Sequence, residues 1–152
     1  MPFTLEIITP DRVVMRGEAD FVQIRGKDGE LGILPGHTPL FTALSDDLMI
    51  VRQQGQQEEV VTVMGGFMDV RPDRVTVLTP AAELAAEIDE VRARQAAERA
   101  KVQIDRARTA EAEGALERAL VRLRALELLG RGYRPTRPHP GQGGIPIEMR
   151  EK

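Results

Sequence analysis

The sequence predicts a β + α fold class: an N-terminal antiparallel β-sandwich followed by a C-terminal antiparallel two-helix hairpin. Residues 1–80 hold six of the ten prolines and eight of the 14 glycines, whereas residues 81–129 hold fourteen alanines, one glycine and no proline. A segment rich in proline and glycine is typical of strands joined by turns, and a segment rich in alanine without proline is typical of helices. We therefore expect a sandwich domain at 1–80, a helical domain at 81–129 and a tail at 130–152.

Five short runs in the first part indicate strands, because they are rich in β-branched residues or alternate apolar with polar positions. Turn residues separate them, most clearly Gly26–Gly29, Gln54–Gly55 and Pro72–Asp73. Short strands with no helix-length segment between them favour an antiparallel sandwich or barrel. The predicted strands are Phe3–Ile7, Phe21–Ile24, Leu48–Val51, Val60–Met64 and Val75–Leu78.

Alanine, arginine and glutamate dominate the second part, and all three favour helix. Thr79 and Pro80 offer an N-cap followed by proline at the first helical position, although a start nearer Ile88 fits equally. Gly114 interrupts the run and is predicted to be the hinge between two antiparallel helices. The second helix should bury a stripe of Leu116, Ala119, Leu120, Leu123 and Leu126.

The first helix has a thin apolar face, consisting mostly of alanine. Such a seam buries little area, at about 0.8 kcal/mol per methylene-sized group. Two helices held so lightly could separate at low cost, which indicates a movable element; a static alanine-lined hairpin is the alternative. The expected face comprises Leu84, Ile88, Val91, Ala93, Ala96, Ala100, Ile104 and Ala107.

The tail from Gly130 cannot build a core, because it is rich in glycine, proline and arginine, and we expect it to be disordered. It carries five basic and two acidic residues, a net of +3. A solvated tail and a contact with an acidic partner or nucleic acid are both compatible with that charge.

Composition also excludes several classes of function. The 152 residues contain no cysteine and only two histidines, His37 and His139, so no metal site, thiol nucleophile or catalytic residue is expected. The net charge of −3 argues against a nucleic-acid binder. No apolar run is long enough for a membrane span and no leader opens the chain, which predicts a cytoplasmic protein. The missing cysteine, second ordered histidine and metal-ligand cluster argue against an enzyme.

Two motifs in the first part carry a resemblance to a known family. Residues 29–40 read GELGILPGHTPL, and residues 65–70 read GGFMDV. Both resemble the epsilon subunit of F-type ATP synthases of bacteria, and the likeness covers residues 1–129. Gly32 and Gly36 permit positive φ and the prolines fix φ, so a stiff loop is expected. It is either a partner-docking loop presenting Leu34, His37 and Leu40, or a tight connection inside the sandwich.

The resemblance implies a non-catalytic rotor subunit in the central stalk of a proton-translocating synthase, where it couples the catalytic head to the c-ring. Implied partners are the gamma subunit, the c-ring and the beta and alpha subunits, with no nucleic acid. The implied location is peripheral, on the cytoplasmic face of the cell membrane, without direct insertion. The family's hairpin folds onto the sandwich or extends along gamma to inhibit ATP hydrolysis. A free-standing ATP-sensing module is the alternative.

Residues 88–93, IDEVRA, are similar to the motif of epsilon subunits that bind regulatory ATP, the one ligand we expect. Asp89 and Arg92 are spaced i,i+3 on one helical face, so an ordinary surface pair is the alternative. Leu126 stands where some ATP binders carry a basic residue. No Walker loop is present, so hydrolysis at this site is not expected. The site that the resemblance implies comprises Glu83, Ile88, Asp89, Arg92, Ala93, Arg99 and Arg122.

The second helix carries Arg118, Arg122 and Arg124. They are candidates for contacting acidic residues on a beta subunit, because guanidinium groups pair well with carboxylates. A charged, solvated helix face is the competing interpretation.

Overall fold

The computed structural model describes residues 1–56 and 58–130, which form ten strands, a 3-10 turn and two helices. The predicted fold class is confirmed. The strands are β1 Phe3–Ile8, β2 Val13–Ala19, β3 Phe21–Gly26, β4 Gly29–Ile33, β5 Leu40–Ala43, β6 Asp46–Arg52, β7 Glu59–Met64, β8 Phe67–Arg71, β9 Arg74–Leu78 and β10 Ala82–Leu84. The 3-10 turn is Ala85–Glu87, and the helices are α1 Glu90–Arg106 and α2 Ala110–Gly130.

The strands form two five-stranded sheets that face each other. The first sheet has the order β2-β1-β9-β8-β5, and the second has the order β10-β7-β6-β3-β4. All pairings are antiparallel except β1 with β9, which run parallel with Leu5 opposite Val75. β1 and β9 can run parallel because they are joined by a long connection rather than a hairpin.

The sandwich core is the apolar layer between the two sheets. The predicted alternation of β1 is confirmed, since Phe3, Leu5 and Ile7 are buried and point inward. Five strands were not predicted from the sequence because they are short or carry glycine and charged side chains, as β2 does at Arg16, Gly17 and Glu18. The missed strands are β2, β4, β5, β8 and β10.

The predicted helix start at Thr79–Pro80 is wrong, and the later alternative near Ile88 is close to what is observed. The chain first adds β10 to the second sheet, with Ala82 opposite Val63 and Leu84 opposite Val61. Both side chains are 6% exposed, so an apolar–polar–apolar alternation continues the sandwich. Helix α1 begins only at Glu90, after the N-cap residue Asp89.

The predicted hinge at Gly114 is also wrong, because Gly114 lies inside α2. The helices are separated at residues 107–109 instead. The hydroxyl of Thr109 accepts a hydrogen bond from the backbone N–H of Ala112 at 3.1 Å and so caps the start of α2. A threonine cap therefore marks the turn, and the glycine is tolerated within the helix.

The hairpin lies on the outer face of the second sheet, where α2 contacts β6, β7 and the 3-10 turn. Helix α1 buries Ala93 and Ala100, as expected, and also Ala97, which was not predicted. Val91 is 64% exposed and Ala107 is exposed beyond the end of the helix, so neither belongs to the buried face. In α2, Leu120 is also exposed, and the fully buried positions include Ala119, Val121 and Ala125. Leu116, Leu123 and Leu126 are half-buried.

A second apolar cluster joins the hairpin to the sheet, and we call it the hairpin cluster. Its buried members are Val60, Ala85, Ile88, Ala93 and Ala125, with several half-buried leucines of α2 packed around them. None of the five belongs to the sandwich core. The sandwich and the hairpin attachment are therefore separate apolar units. The predicted disorder of the tail lies outside the described residues, apart from Gly130.

Candidate functional site

A cleft of about 350 Å³ opens where β10, the 3-10 turn, α1 and α2 meet. All seven residues that the resemblance implied for the ATP site line it, together with Glu87 and Ala96. Chain elements that are distant in sequence converge there because the hairpin folds back across the end of β10. The implied residues in the lining are Glu83, Ile88, Asp89, Arg92, Ala93, Arg99 and Arg122.

Asp89 shapes the cleft through the backbone. Its carboxylate accepts a hydrogen bond from the backbone N–H of Arg92 at 3.1 Å, as an N-cap does. The side chains of Asp89 and Arg92 do not pair with each other, so the surface-pair alternative does not describe this contact. The cap fixes the first turn of α1. It uses only the backbone of Arg92, so the guanidinium group of Arg92 stays available for a ligand.

Two carboxylates of the cleft are paired with arginines. Arg122 Nε donates to Glu83 Oε1 at 2.6 Å, which ties α2 to β10. Arg12, in the connection between β1 and β2, donates from Nη2 and Nη1 to the two oxygens of Glu87 at 3.0 and 3.3 Å. These contacts bring the sandwich, the 3-10 turn and α2 together around one space.

The cleft combines free cations with an apolar wall. Arg92 and Arg99 are exposed, lie two turns apart on α1, and make no ion pair or hydrogen bond through their guanidinium groups within residues 1–56 and 58–130. Ile88 and Ala93 are buried against the hairpin cluster. Guanidinium groups suit phosphate oxygens, and apolar surface suits a planar ring. The arrangement suits a ligand with one apolar and one anionic end.

Across the described part of the chain, no group of three potential metal ligands comes together. No described helix is long and apolar enough to cross a membrane.

The loop between β4 and β5 presents Leu34, which is 60% exposed, and His37, which is half-buried. His37 Nδ1 lies 2.6 Å from the carbonyl oxygen of Thr38, and Leu40 is half-buried against the sandwich core. Gly36 has φ +80°, as predicted. Gly32 does not have positive φ; it lies in β4, where an added Cβ would meet the Phe21 ring at 3.1 Å. Its role is therefore close packing.

Of the three α2 arginines, two pair with carboxylates of the sandwich. Arg122 holds Glu83, and Arg124 Nη2 lies 3.4 Å from Asp47 Oδ1. Asp47 also receives Arg25 at 2.9 Å. Arg118 is half-buried, with its guanidinium group over Gly114. In this folded-down hairpin, Arg122 and Arg124 are engaged within the chain.

A β-sandwich with a two-helix hairpin folded on one sheet defines a class of ATP synthase subunits. Residues 2–85 match the family described as the β-sandwich domain of the ATP synthase Delta/Epsilon chain. The chain is 47% identical over 126 residues to the ATP synthase epsilon chain of Moorella thermoacetica, covering 80% of this chain and 93% of that one. With that of Bordetella avium it shares 38% identity over 133 residues, covering 88% and 94%. The chain belongs to the family of ATP synthase epsilon chains.

Solved structures agree with this membership. A chain in the mitochondrial ATP synthase of Euglena gracilis, determined as the OSCP/F1/c-ring in rotational state 1, is similar with a TM-score of 0.72 and 25% identity. The similarity covers 82% of this chain and 81% of that one. A chain from the central stalk and c-ring of the Tetrahymena thermophila enzyme shares the fold, at a TM-score of 0.50 and 12% identity over 88% and 97% of the two chains.

Proposed function

We propose that this chain is a non-catalytic rotor subunit of a proton-translocating F-type ATP synthase, and that its hairpin inhibits ATP hydrolysis when it leaves the sandwich. The observation that carries the proposal is the separation of the two apolar units. Detaching the hairpin exposes the hairpin cluster and leaves the sandwich core intact. A sandwich that keeps its core can hold its place on a rotor while the helices move.

The energies of the attachment favour a reversible movement. Three of the five buried members of the hairpin cluster are alanines, each worth about one methylene-sized group, or about 0.8 kcal/mol. The pairs Arg122–Glu83 and Arg124–Asp47 are partly exposed, and such pairs contribute about 0–1 kcal/mol each. The alanines and the ion pairs are therefore small terms, and the larger contribution comes from Val60, Ile88 and the half-buried aliphatic side chains around them, an apolar surface that a partner could cover instead.

In this proposal the sandwich binds the gamma subunit and the c-ring, and the loop carrying Leu34, His37 and Leu40 supplies docking contacts. The extended hairpin meets the beta and alpha subunits. The chain then lies peripherally at the cytoplasmic face of the membrane. The exposure of Leu34 at the loop surface supports a docking role for this loop.

Arg118, Arg122 and Arg124 are proposed to contact acidic residues of a beta subunit when the hairpin extends. In the folded-down form, carboxylates of the sandwich hold Arg122 and Arg124, so extension exchanges one set of carboxylates for another. Reversing the charge of the three arginines should relieve inhibition of hydrolysis in the assembled enzyme. Unchanged hydrolysis would reject this contact.

We further propose that ATP is a regulatory ligand of the cleft, with its phosphates on Arg92 and Arg99. Because the lining comes from β10, the 3-10 turn, α1 and α2, a bound nucleotide would hold the hairpin on the sandwich. Calorimetric titration tests this with wild type, Arg92→Ala and the control Arg94→Ala. Arg94 is also on α1 but pairs with Glu90 and lies outside the cleft. Loss of binding only in Arg92→Ala is expected, and no heat from wild type at millimolar ATP would overturn the proposal.

The rotor role is tested by co-purification with gamma and by hydrolysis assays of the assembled enzyme. A chain lacking the residues after Ile88 should still co-purify and should raise ATP hydrolysis relative to the full chain. Equal hydrolysis with both chains would contradict inhibition by the helices. A full chain that binds ATP but never co-purifies with gamma would favour the free-standing sensor instead.

A further inference from the structure

We propose that Arg12 is a positioning residue of the cleft: it holds Glu87 in place and neutralises it, so that the cleft accepts an anionic ligand. The proposal rests on the proposed binding of ATP. Arg12 does not line the cleft itself and lies in the connection between β1 and β2, 75 positions before Glu87. It reaches the cleft wall from the sandwich side.

The contact between Arg12 and Glu87 is two-pronged. Nη2 donates to Oε1 at 3.0 Å and Nη1 donates to Oε2 at 3.3 Å, which fixes the plane of the carboxylate. Glu87 Oε1 also accepts the backbone N–H of Leu84 at 3.2 Å. The same carboxylate therefore closes the 3-10 turn from which Ile88 and Asp89 enter the cleft. Holding Glu87 also holds that turn.

Arg12 is itself well positioned. The backbone N–H of Thr9 donates to the Arg12 carbonyl at 2.9 Å, and the Thr9 hydroxyl accepts the backbone N–H of Arg12 at 3.3 Å. These two bonds close the turn between β1 and β2. The guanidinium group consequently starts from a fixed backbone and loses less freedom when it grips Glu87.

The charges of the cleft explain why this grip matters for an anion. The lining holds three carboxylates and three guanidinium groups, so its formal charges cancel. Arg12 contacts Glu87 from outside the lining and adds one positive charge next to the cleft. Its hydrogen bond to Glu87 is the largest cause that raises the pKa of Arg12 above its ordinary value, while burial opposes the rise; Glu83 adds a smaller attraction. The charge of Arg12 is thus coupled to two cleft carboxylates.

Without Arg12, the Glu87 carboxylate would lose the guanidinium group that it is paired with, and its charge would repel the phosphates of a bound nucleotide more strongly. We expect Arg12→Met to weaken ATP binding by about three- to tenfold, because like charges a few ångströms apart repel even in a solvated site. Arg12→Lys should recover part of this loss, since it keeps the charge but loses the two-pronged geometry. In a Glu87→Gln background, Arg12→Met should change the affinity by less than about twofold, because the charge it compensates is gone.

The experiment is calorimetric titration of the full chain with ATP at low and high potassium chloride. The matched control is Arg16→Met. Arg16 lies on β2, its Nε is 2.7 Å from Glu6 Oε2, and neither residue lines the cleft. If Arg12 acts through charge, the ratio of wild-type to Arg12→Met affinity shrinks at high salt. A purely structural role of Arg12 would give the same ratio at both salt concentrations.

Each outcome decides the matter. A loss in Arg12→Met that is salt-dependent, absent in Arg16→Met and suppressed by Glu87→Gln supports the proposal. If wild type binds ATP and Arg12→Met binds it equally well, the role of Arg12 is overturned. The same holds if Arg12→Met weakens binding to the same extent in the Glu87→Gln background. Neither outcome affects the proposed nucleotide site. A wild-type chain that binds no ATP overturns the proposed nucleotide site, and the role of Arg12 falls with it.

Discussion

Val60 and Val61 are adjacent on β7, but their side chains point to opposite faces of the second sheet. Val60 is 1% exposed and belongs to the hairpin cluster, whereas Val61 is 0% exposed and belongs to the sandwich core. Val60→Ala and Val61→Ala therefore make the same chemical change, at the same depth, in two different apolar units. Only the first should loosen the hairpin.

Valine to alanine removes two methylene-sized groups, worth about 1.6 kcal/mol at about 0.8 kcal/mol each. A residual cavity adds to that cost, so about 2 kcal/mol is expected at either site. Val60→Ala should lower the free energy of docking of the hairpin on the sheet by this amount. A loss of about 2 kcal/mol corresponds to about a 30-fold change in the docking equilibrium constant. Val61→Ala should lower the free energy of unfolding of the sandwich by the same amount.

Native-state hydrogen exchange separates the two effects, because it reports local opening and global unfolding at individual amides. Amides of α2 should exchange about 30-fold faster in Val60→Ala and at the wild-type rate in Val61→Ala. Amides of β1 and β9 should lose protection in Val61→Ala. If both variants accelerate the helices equally, the hairpin opens only when the sandwich unfolds, and the separation of the two units is refuted.

Three further predictions concern single contacts. Gly66→Ala should prevent folding or cost more than about 4 kcal/mol by denaturant unfolding, because the new Cβ would lie 2.0 Å from the Leu78 carbonyl oxygen at φ +98°. Gly36→Ala, at φ +80° with open space around it, should cost only about 1–2 kcal/mol; equal losses would reject the steric argument. Asp89→Ala removes the N-cap and should lower the stability of the first turn of α1 by about 1 kcal/mol, measured by amide exchange there. Arg124→Ala should change hairpin exchange less than about fivefold, since its ion pair is exposed, and a larger change would show that the pair dominates docking.

The sequence predicted the sandwich and hairpin because both depend on local patterns. The alternation in β1 reports burial directly, and the alanine-rich run reports helix. The entry to α1 was harder to predict, because Thr79–Pro80 is a good helix start by local chemistry. There, pairing of Ala82 and Leu84 with β7 overrides the local signal. Such a long-range pairing has no signature in the run itself.

The cleft shows the same division. The resemblance of residues 88–93 predicted a set of residues that the structure does bring together. Thr109 is a good N-cap residue, and that signal could have placed the turn between the helices there and not at Gly114. Glu87 was missed because its role depends on Arg12, which is 75 positions away. The Leu84 N–H donates to Glu87 Oε1 three residues later, and a glutamate at that capping-box spacing is a local signal of a turn before α1.

In the proposed function, the hairpin inhibits ATP hydrolysis only when it leaves the sandwich. The chain has no cysteine, so Asp47→Cys with Arg124→Cys places a unique pair of thiols at a contact between α2 and β6. A short thiol cross-linker would then hold the hairpin down in the assembled ATP synthase. We expect cross-linked enzyme to hydrolyse ATP as fast as enzyme whose chain lacks the residues after Ile88. Hydrolysis that stays as low as in the untreated full-length enzyme would show that inhibition does not require the hairpin to leave the sandwich.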